Sequence, residues 1–192
     1  ALTANTTAAN NTAVGYASLN ANTTGSNNTA VGVGAGKTST TTSNITAIGA
    51  NALSANTADQ NTAVGSQALV TNTTGVENVA MGLYALRYNT TGSDNVGIGD
   101  YAIAANTTAS NNTAVGKYAL TANTTASGIT GVGYQAGQAN TTGSQNVFIG
   151  STAGYSNTTG ANNTAVGTAA LYTNTTASSN TAVGERALRV VT

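Results

Sequence analysis

The sequence predicts an all-β protein, a parallel β-solenoid of about eleven short coils, and three observations lead to this prediction. A glycine recurs along the chain, from Gly15 to Gly184, at intervals of 17 residues, except for an interval of 16 between Gly49 and Gly65. The surrounding residues repeat with it, in the consensus N-N-T-A-V-G-x-x-A-L-x-x-N-T-T-G-S. Only 31 of the 192 residues are Leu, Ile, Val or Phe, which is too few to fill a globular core. Stacked repeats that share a thin core remove this difficulty.

The first element of each repeat is a short strand with the sequence T-A-V or a close variant. A large aliphatic residue or Met precedes every recurring glycine, and a β-branched residue stands two positions earlier. Side chains alternate along a strand, so these two positions share one face, and a small residue between them faces the other way. This small position holds Ala in most repeats and Phe148 in one. The aliphatic column comprises Val14, Val31, Ile48, Val64, Met81, Ile98, Val115, Val132, Ile149, Val166 and Val183.

The second element is the A-L pair that follows the glycine, and it predicts a second short strand. Leu or Ile occupies its second position in eight repeats, and glycine replaces it at Gly36, Gly137 and Gly154. The third corner of the repeat holds Gly, Ala or Thr, which favours a flat, two-sided roll over a three-sided helix. Together with Phe148, the glycines at 137 and 154 predict a local bulge or a narrower section.

The third element is the turn N-T-T, since Asn, Gly and Ser tolerate the positive φ that turns require. A Thr stands eight residues after the glycine in every repeat, from Thr23 to Thr192. The chain contains fourteen N-x-S/T sequons, among them Asn5, Asn22, Asn72 and Asn157. We interpret them as hydrogen-bonded Asn and Thr ladders rather than as glycosylation sites. Coils stacked about 4.8 Å apart would form a rod of about 50 Å.

The small position in the strand has two interpretations, and both place it on the outer surface of the roll. It is either a small solvent-facing residue or the contact point of partner chains around a common axis. We favour the second interpretation, because a shared interface supplies the core that one thin roll lacks. The sequence therefore predicts a homotrimer.

The strand motif resembles the repeats of a known protein family. The run N-T-A-V-G, with its variants N-I-T-A-I-G, N-V-A-M-G and N-V-F-I-G, resembles the head repeats of YadA-type trimeric autotransporter adhesins. The longer unit is similar to repeats of bacteriophage tail-fibre shafts and bacterial surface proteins. The resemblance covers the single array 1–192. It implies a left-handed β-roll of three chains in an extracellular, cell-surface or virion location, with a host surface glycan or receptor as a further partner.

Composition excludes several function classes. The chain has no His and no Cys, so it offers no His or thiolate metal site, no Cys nucleophile and no Ser–His–Asp triad. We therefore expect no catalytic, cofactor-binding or metal-binding residues, and no enzyme. Five basic residues balance five acidic ones, which argues against a nucleic-acid partner. No apolar run is long enough for a membrane span.

Two motifs that suggest chemistry are better explained by the repeat. The segment V-G-V-G-A-G-K-T, residues 31–38, has Val31 where a phosphate-binding loop needs its first glycine. Glu77 and Asp94 occupy the same position in adjacent repeats, which predicts a separation of about 5 Å. We interpret them as solvated turn charges rather than as a catalytic pair.

Three tyrosines form the candidate ligand platform. Tyr84, Tyr101 and Tyr118 occupy the same position in three consecutive repeats, so their rings should stack on the surface. We interpret this strip as a stabilising aromatic ladder, with a platform for sugar rings as the alternative.

The predicted function is that of a structural fibre or filament segment that presents or spaces an attachment surface. The array begins and ends within a repeat, and neither end shows a capping element. We therefore expect a segment of a longer fibre or protomers joined end to end. Besides sugar binding, the alternative is ice binding by stacked threonines such as Thr23, Thr40, Thr57 and Thr73.

Overall fold

The computed structural model describes residues 1–190 and contains eleven three-residue strands in one parallel sheet, paired in chain order. No helix that could cross a lipid bilayer occurs among these residues. Thr192, the last member of the predicted threonine column, lies outside the described residues. The strands are β1 (Thr12–Val14), β2 (Thr29–Val31), β3 (Thr46–Ile48), β4 (Thr62–Val64), β5 (Val79–Met81), β6 (Val96–Ile98), β7 (Thr113–Val115), β8 (Thr130–Val132), β9 (Val147–Ile149), β10 (Thr164–Val166) and β11 (Thr181–Val183).

Equivalent residues of successive repeats lie directly above one another. Thr12 pairs with Thr29 in the first strand pair, and Thr46 pairs with Thr62 across the shorter 16-residue interval. Backbone hydrogen bonds between coils continue beyond the strands, as from the Leu19 N–H to the Ala35 carbonyl oxygen at 3.0 Å. The prediction of an all-β parallel solenoid with in-register repeats is confirmed.

The recurring glycine is required by the close approach of successive coils. Its φ lies between 121° and 136° throughout the array, in a region that residues with a side chain rarely adopt. A Cβ added at Gly116 would lie 2.5 Å from the carbonyl oxygen of Gly133 in the next coil. Any other residue would push two coils apart, so the glycine marks every repeat.

The strand faces the opposite way from the prediction. The small column is buried, with Ala30 and Ala47 fully inaccessible, whereas Val14 and Met81 of the aliphatic column are 57% and 42% exposed. The prediction that the small residues face solvent or a partner chain is therefore wrong. The interior beside the strand is already filled by the A-L segment: a Cβ on Gly131 would lie 2.7 Å from Cγ of Leu120. The position therefore accepts glycine in this coil and no more than the methyl group of alanine in most others.

The A-L segment is a run of turns, so the predicted second strand is wrong. Its leucines have a left-handed backbone, as at Leu19 (φ 43°) and Leu86 (φ 50°), and their side chains are completely buried. This conformation is rare for a residue with a bulky side chain. Full burial and a backbone hydrogen bond to the next coil compensate for the strain.

The predicted bulge around Phe148 is also absent. Phe148 pairs in register with Gly131 on one side and with Ala165 on the other. Its ring is fully buried and fills the space that leucines would take at two other positions. A Cβ at Gly137 would lie 2.5 Å from the Phe148 ring, and one at Gly154 would lie closer still. The large side chain at Phe148 in the strand therefore replaces the two leucine side chains that are missing at Gly137 and Gly154, and the strand register does not change.

The rest of the interior is polar and contains two columns of asparagine. Sixteen asparagines of the described chain are buried. The turn asparagine column is formed by the first residue of N-T-T, or of N-T-A at Asn56. Its buried members are Asn22, Asn56, Asn72, Asn89, Asn106, Asn123, Asn140, Asn157 and Asn174, with Ser39 as the one substitution among residues 1–190. The strand asparagine column immediately precedes the strands. Its buried members are Asn28, Asn61, Asn78, Asn95, Asn112, Asn146 and Asn163, with Ile45 and Ile129 as substitutions and the partly buried Asn11 and Asn180 at its ends.

Both columns tie neighbouring coils together. In the turn column, the Asn89 amide nitrogen donates to Oδ1 of Asn72 at 2.8 Å and to the Gly92 carbonyl oxygen at 2.9 Å. In the strand column, Oδ1 of Asn78 accepts from the Asn95 N–H at 3.0 Å. The side-chain amide nitrogen of Asn78 donates to the Gly92 carbonyl oxygen at 2.8 Å. The predicted asparagine ladders are confirmed, and their position in the interior explains how a chain with few large apolar residues forms an ordered fold.

Candidate functional site

The structure brings the three predicted platform tyrosines together. Tyr84, Tyr101 and Tyr118 occupy turn positions with φ of 58° to 61°. Their ring centroids are separated by 5.0 and 5.4 Å, with interplanar angles of 59° and 33°. The side chains are half-buried. The three rings are adjacent, as expected from their spacing, but they are tilted against one another rather than stacked face to face.

Cations cover both ends of the tyrosine strip. The Arg87 guanidinium lies 4.3 Å from the Tyr84 ring centroid, and the Lys117 ammonium lies 5.1 Å from that of Tyr118. Each end ring of the strip thus lies within reach of a cation–π contact. This geometry favours the stabilising ladder, while binding of a sugar to the strip stays a prediction.

A second aromatic pair was missed by the sequence analysis. Tyr155 and Tyr172 stack with centroids 5.1 Å apart and planes inclined by 5°. Arg189 lies 5.7 Å from the Tyr172 centroid. The signal was present in the sequence, because these two tyrosines are one 17-residue interval apart.

The two threonines of N-T-T have different surroundings. The first threonine column runs from Thr6 to Thr175, and nine of its hydroxyls donate to the backbone carbonyl of the next coil. Thr73, for example, donates to the Thr90 carbonyl oxygen at 2.9 Å. Thr23, Thr57 and Thr73, which the ice-binding alternative invoked, are among these structural donors.

The second threonine column is exposed, and its hydroxyls form no hydrogen bond within the described chain. It adds one free hydroxyl per coil along one edge of the solenoid. Its members are Thr7, Thr24, Thr41, Thr74, Thr91, Thr108, Thr125, Thr142, Thr159 and Thr176.

The second threonine column is interrupted once, in the 16-residue coil. Thr57 belongs to the first threonine column, because the Thr57 hydroxyl donates to the Thr73 carbonyl oxygen at 2.8 Å. Asp59 belongs to the serine position, because Oδ1 of Asp59 accepts from the Ser43 N–H at 2.8 Å, as the Ser43 hydroxyl accepts from Ser26. The missing residue is therefore the second threonine, between Thr57 and Ala58.

This omission leaves a recess of about 420 Å³ in the surface. It is lined by Thr41, Thr57, Ala58, Asp59, Gln60, Thr74 and Val76. Ala58, only 7% exposed, forms its floor, and Val76, 37% exposed, contributes an apolar wall.

The outward face of the sheet carries the aliphatic column as a continuous apolar stripe. Ile48, Ile98 and Ile149 are each 37–39% exposed in the middle of the array. The β-branched column beside it completes a face that contains no charged residue along the eleven strands.

The remaining motifs occupy ordinary positions of the coils. Glu77 and Asp94 are exposed residues with φ of 57° and 58°. No group of three or more His, Cys, Asp or Glu side chains that could hold a metal ion occurs among residues 1–190. Residues 31–38 follow the coil pattern, and turns rather than a helix come after their glycines.

Burial separates the sequons into two sets. Asn22, Asn72 and Asn157 are buried with their amide nitrogens hydrogen-bonded, whereas Asn5 is exposed. The other exposed sequon asparagines lie in the turn before the strand and have a positive φ: Asn10, Asn27, Asn44, Asn111 and Asn162.

Comparison of the chain with protein-family models, with curated proteins and with solved structures finds no match.

Proposed function

We propose that the chain is a structural segment of an extracellular fibre or filament that spaces or presents an attachment surface. The observation that carries this proposal is the unbroken register of eleven strands. Ten steps of about 4.8 Å give a straight array of about 50 Å. Hydrogen-bonded asparagines run through its interior. Such an array extends by adding coils, so its length follows directly from the number of repeats.

Self-association through the outward apolar stripe forms part of the proposal. A stripe of partly exposed aliphatic residues without charges is the type of surface that a second copy would bury. The buried alanine column is not available for this role, so the proposed homotrimer would close around the aliphatic column. The left-handed sense of the roll and the threefold arrangement rest on the resemblance of the repeat to adhesin heads and tail-fibre shafts.

The same resemblance supports the proposed location at a cell surface, on a virion or elsewhere outside the cell. A host glycan or receptor would then be the distant partner. No covalent chemistry is assigned to the chain in this proposal.

Mass and shape in solution test the proposal. Light scattering behind a sizing column should give three times the chain mass of 18.7 kDa, and electron microscopy should show straight rods. A broad distribution of large masses would indicate end-to-end filaments instead. A stable monomer would contradict both forms of self-association.

A matched pair of variants locates the contact face. Val64→Lys with Val115→Lys places two charges in the aliphatic stripe and should give monomers. Thr91→Lys with Thr125→Lys places the same charges in the exposed second threonine column and should leave the mass unchanged. Equal effects of the two pairs would refute the assignment of the face.

Ice binding is the second candidate, and the second threonine column favours it. Ten exposed threonines carry hydroxyls without a partner among residues 1–190, at one per coil except in the 16-residue coil. Thermal hysteresis near millimolar protein concentration is the expected activity. Its absence from the native chain would eliminate this candidate without affecting the fibre proposal.

A further inference from the structure

The recess in the 16-residue coil is the one place where the repeating surface is interrupted by a missing residue. All residues that line it belong to a single chain and to neighbouring coils around Ala58. None of them belongs to the aliphatic stripe. A ligand could therefore occupy the recess whether or not the chains associate through their sheets.

Polar groups around the recess are free to bind a ligand. One oxygen of Asp59 accepts from the Ser43 N–H, while its second oxygen forms no hydrogen bond within the described chain. The hydroxyls of Thr41 and Thr74 and the side-chain amide of Gln60 are likewise without partners among residues 1–190. The rim thus offers a carboxylate acceptor, hydroxyls that donate and accept, and an amide that does both.

Charge and chemistry narrow the ligand class. Asp59 is the only charged lining residue and would repel an anion. A single carboxylate is a poor set of ligands for a divalent cation, which prefers several oxygen ligands around it. The apolar floor and wall of Ala58 and Val76 would contact C–H groups. A neutral ligand with several hydroxyls on a carbon ring satisfies all three requirements.

We propose that this recess binds a neutral sugar ring, with Asp59 and Gln60 bonding its hydroxyls and Val76 packing on its carbon face. The volume lies within the range of small-molecule pockets, about 300–1,000 Å³. The recess is open to solvent, so one ring should bind with a dissociation constant on the order of millimolar. The site goes beyond the fibre function, because it assigns a ligand to one particular coil.

Titration by NMR tests this site in the full chain. The probes are D-glucose, D-galactose, D-mannose, L-fucose and N-acetyl-D-glucosamine, each raised to about 100 mM, well above the expected dissociation constant. At least one should cause saturable shifts of the backbone amides of Thr41, Gln60 and Val76. No saturable shift with any of the five sugars would overturn the proposal.

Two variants separate specific binding from general effects. Insertion of one threonine between Thr57 and Ala58 restores the 17-residue coil, so it should fill the recess and abolish the shifts. Asp59→Ser introduces the residue found at this position in other coils, such as Ser43 and Ser93, so the fold should be retained. Loss of the carboxylate should weaken binding about tenfold. Unchanged binding in either variant would contradict the assignment.

Ionic probes provide the last control. Calcium chloride and N-acetylneuraminate, titrated in the same way, should leave the recess amides unshifted. Tighter binding of either one than of the neutral sugars would overturn the proposed ligand class. The recess is formed by residues of one chain. A protein that is monomeric but still binds sugar would therefore refute only the fibre proposal.

Discussion

The apolar and asparagine-lined parts of the interior follow different rules. In the apolar part, side chains change identity while the volume is conserved: Phe148 enters where Gly137 and Gly154 leave room. In the asparagine part, each amide has partners fixed by geometry, so a substitution leaves a neighbour without its hydrogen bond. Ser39 replaces a turn asparagine, and the buried Oδ1 of Asn22 accordingly has no partner. Volume can be shared between coils, whereas an amide must be matched coil by coil.

The largest expected effect tests the exchange of volume. Phe148→Ala should lower the free energy of unfolding by about 4 kcal/mol, because the neighbouring glycines cannot fill the cavity. The triple variant with Gly137→Leu and Gly154→Leu restores the repeat consensus and should recover most of this loss. Both new leucines would adopt the left-handed backbone that Leu86 already has.

Urea unfolding of the single and triple variants measures this recovery. Gly154→Leu alone serves as the control, and it should be destabilising, since its Cβ would overlap the Phe148 ring. If the triple variant were no more stable than Phe148→Ala, the volume of the apolar part would not be shared between coils.

The next effect concerns the turn asparagine column. Asn106→Ala removes a bond of 2.7 Å to Asn89, a bond of 3.0 Å to the Ala109 carbonyl oxygen and the acceptor of Asn123. It leaves Oδ1 of Asn89 buried and unpaired. We expect a loss of about 3 kcal/mol in the free energy of unfolding.

An exposed asparagine gives the matched control for Asn106. Asn111→Gly changes a turn residue with φ of 61° to the residue type found at Gly128, one coil further along. Its effect on urea unfolding should be within about 0.5 kcal/mol. Losses of equal size for Asn106→Ala and Asn111→Gly would show that burial of the asparagines contributes nothing special.

A smaller effect of opposite sign is expected where Ser39 replaces an asparagine of the turn asparagine column. Ser39→Asn supplies an amide donor to the unpaired Oδ1 of Asn22 and should raise the free energy of unfolding by about 1 kcal/mol. Thermal unfolding should show a higher midpoint for this variant than for the native chain. A lower midpoint would mean that the column does not require an amide in every coil.

The smallest effect lies outside the interior, at the tyrosine strip. Tyr101→Ala removes the central ring, and its expected cost is about 1 kcal/mol. The backbone tolerates Ala there, since Ala17 has φ of 56° at the equivalent position. Tyr134→Ala, which removes an exposed ring outside the strip, should have a smaller effect on the thermal midpoint. Equal effects would argue against a stabilising ladder.

The sequence predicts the period, the parallel register and the ladders, because these follow directly from identical residues at fixed spacing. It does not predict which face of T-A-V is buried. Hydrophobicity alone favours Val, and the decision depends on the space left by Leu120 and its equivalents in other coils. The turn at A-L was missed for a similar reason, since Leu rarely has a positive φ.

The recess around Ala58 illustrates a third limit. The 16-residue interval is visible in the sequence, but the position of the missing residue follows only from the bonds of Thr57 and Asp59. The tyrosine strip, in contrast, was predictable from spacing, whereas the cations that cover its ends were not.

Hydrogen exchange of the asparagine side-chain amides reports directly on the stacked amides of the interior. We expect the NH₂ groups of buried asparagines such as Asn89 and Asn106 to exchange as slowly as the backbone amides of the strands. Those of the exposed turn residues Asn27 and Asn162 should exchange at once. Uniformly fast exchange of all asparagine side chains would contradict an interior held together by stacked amides.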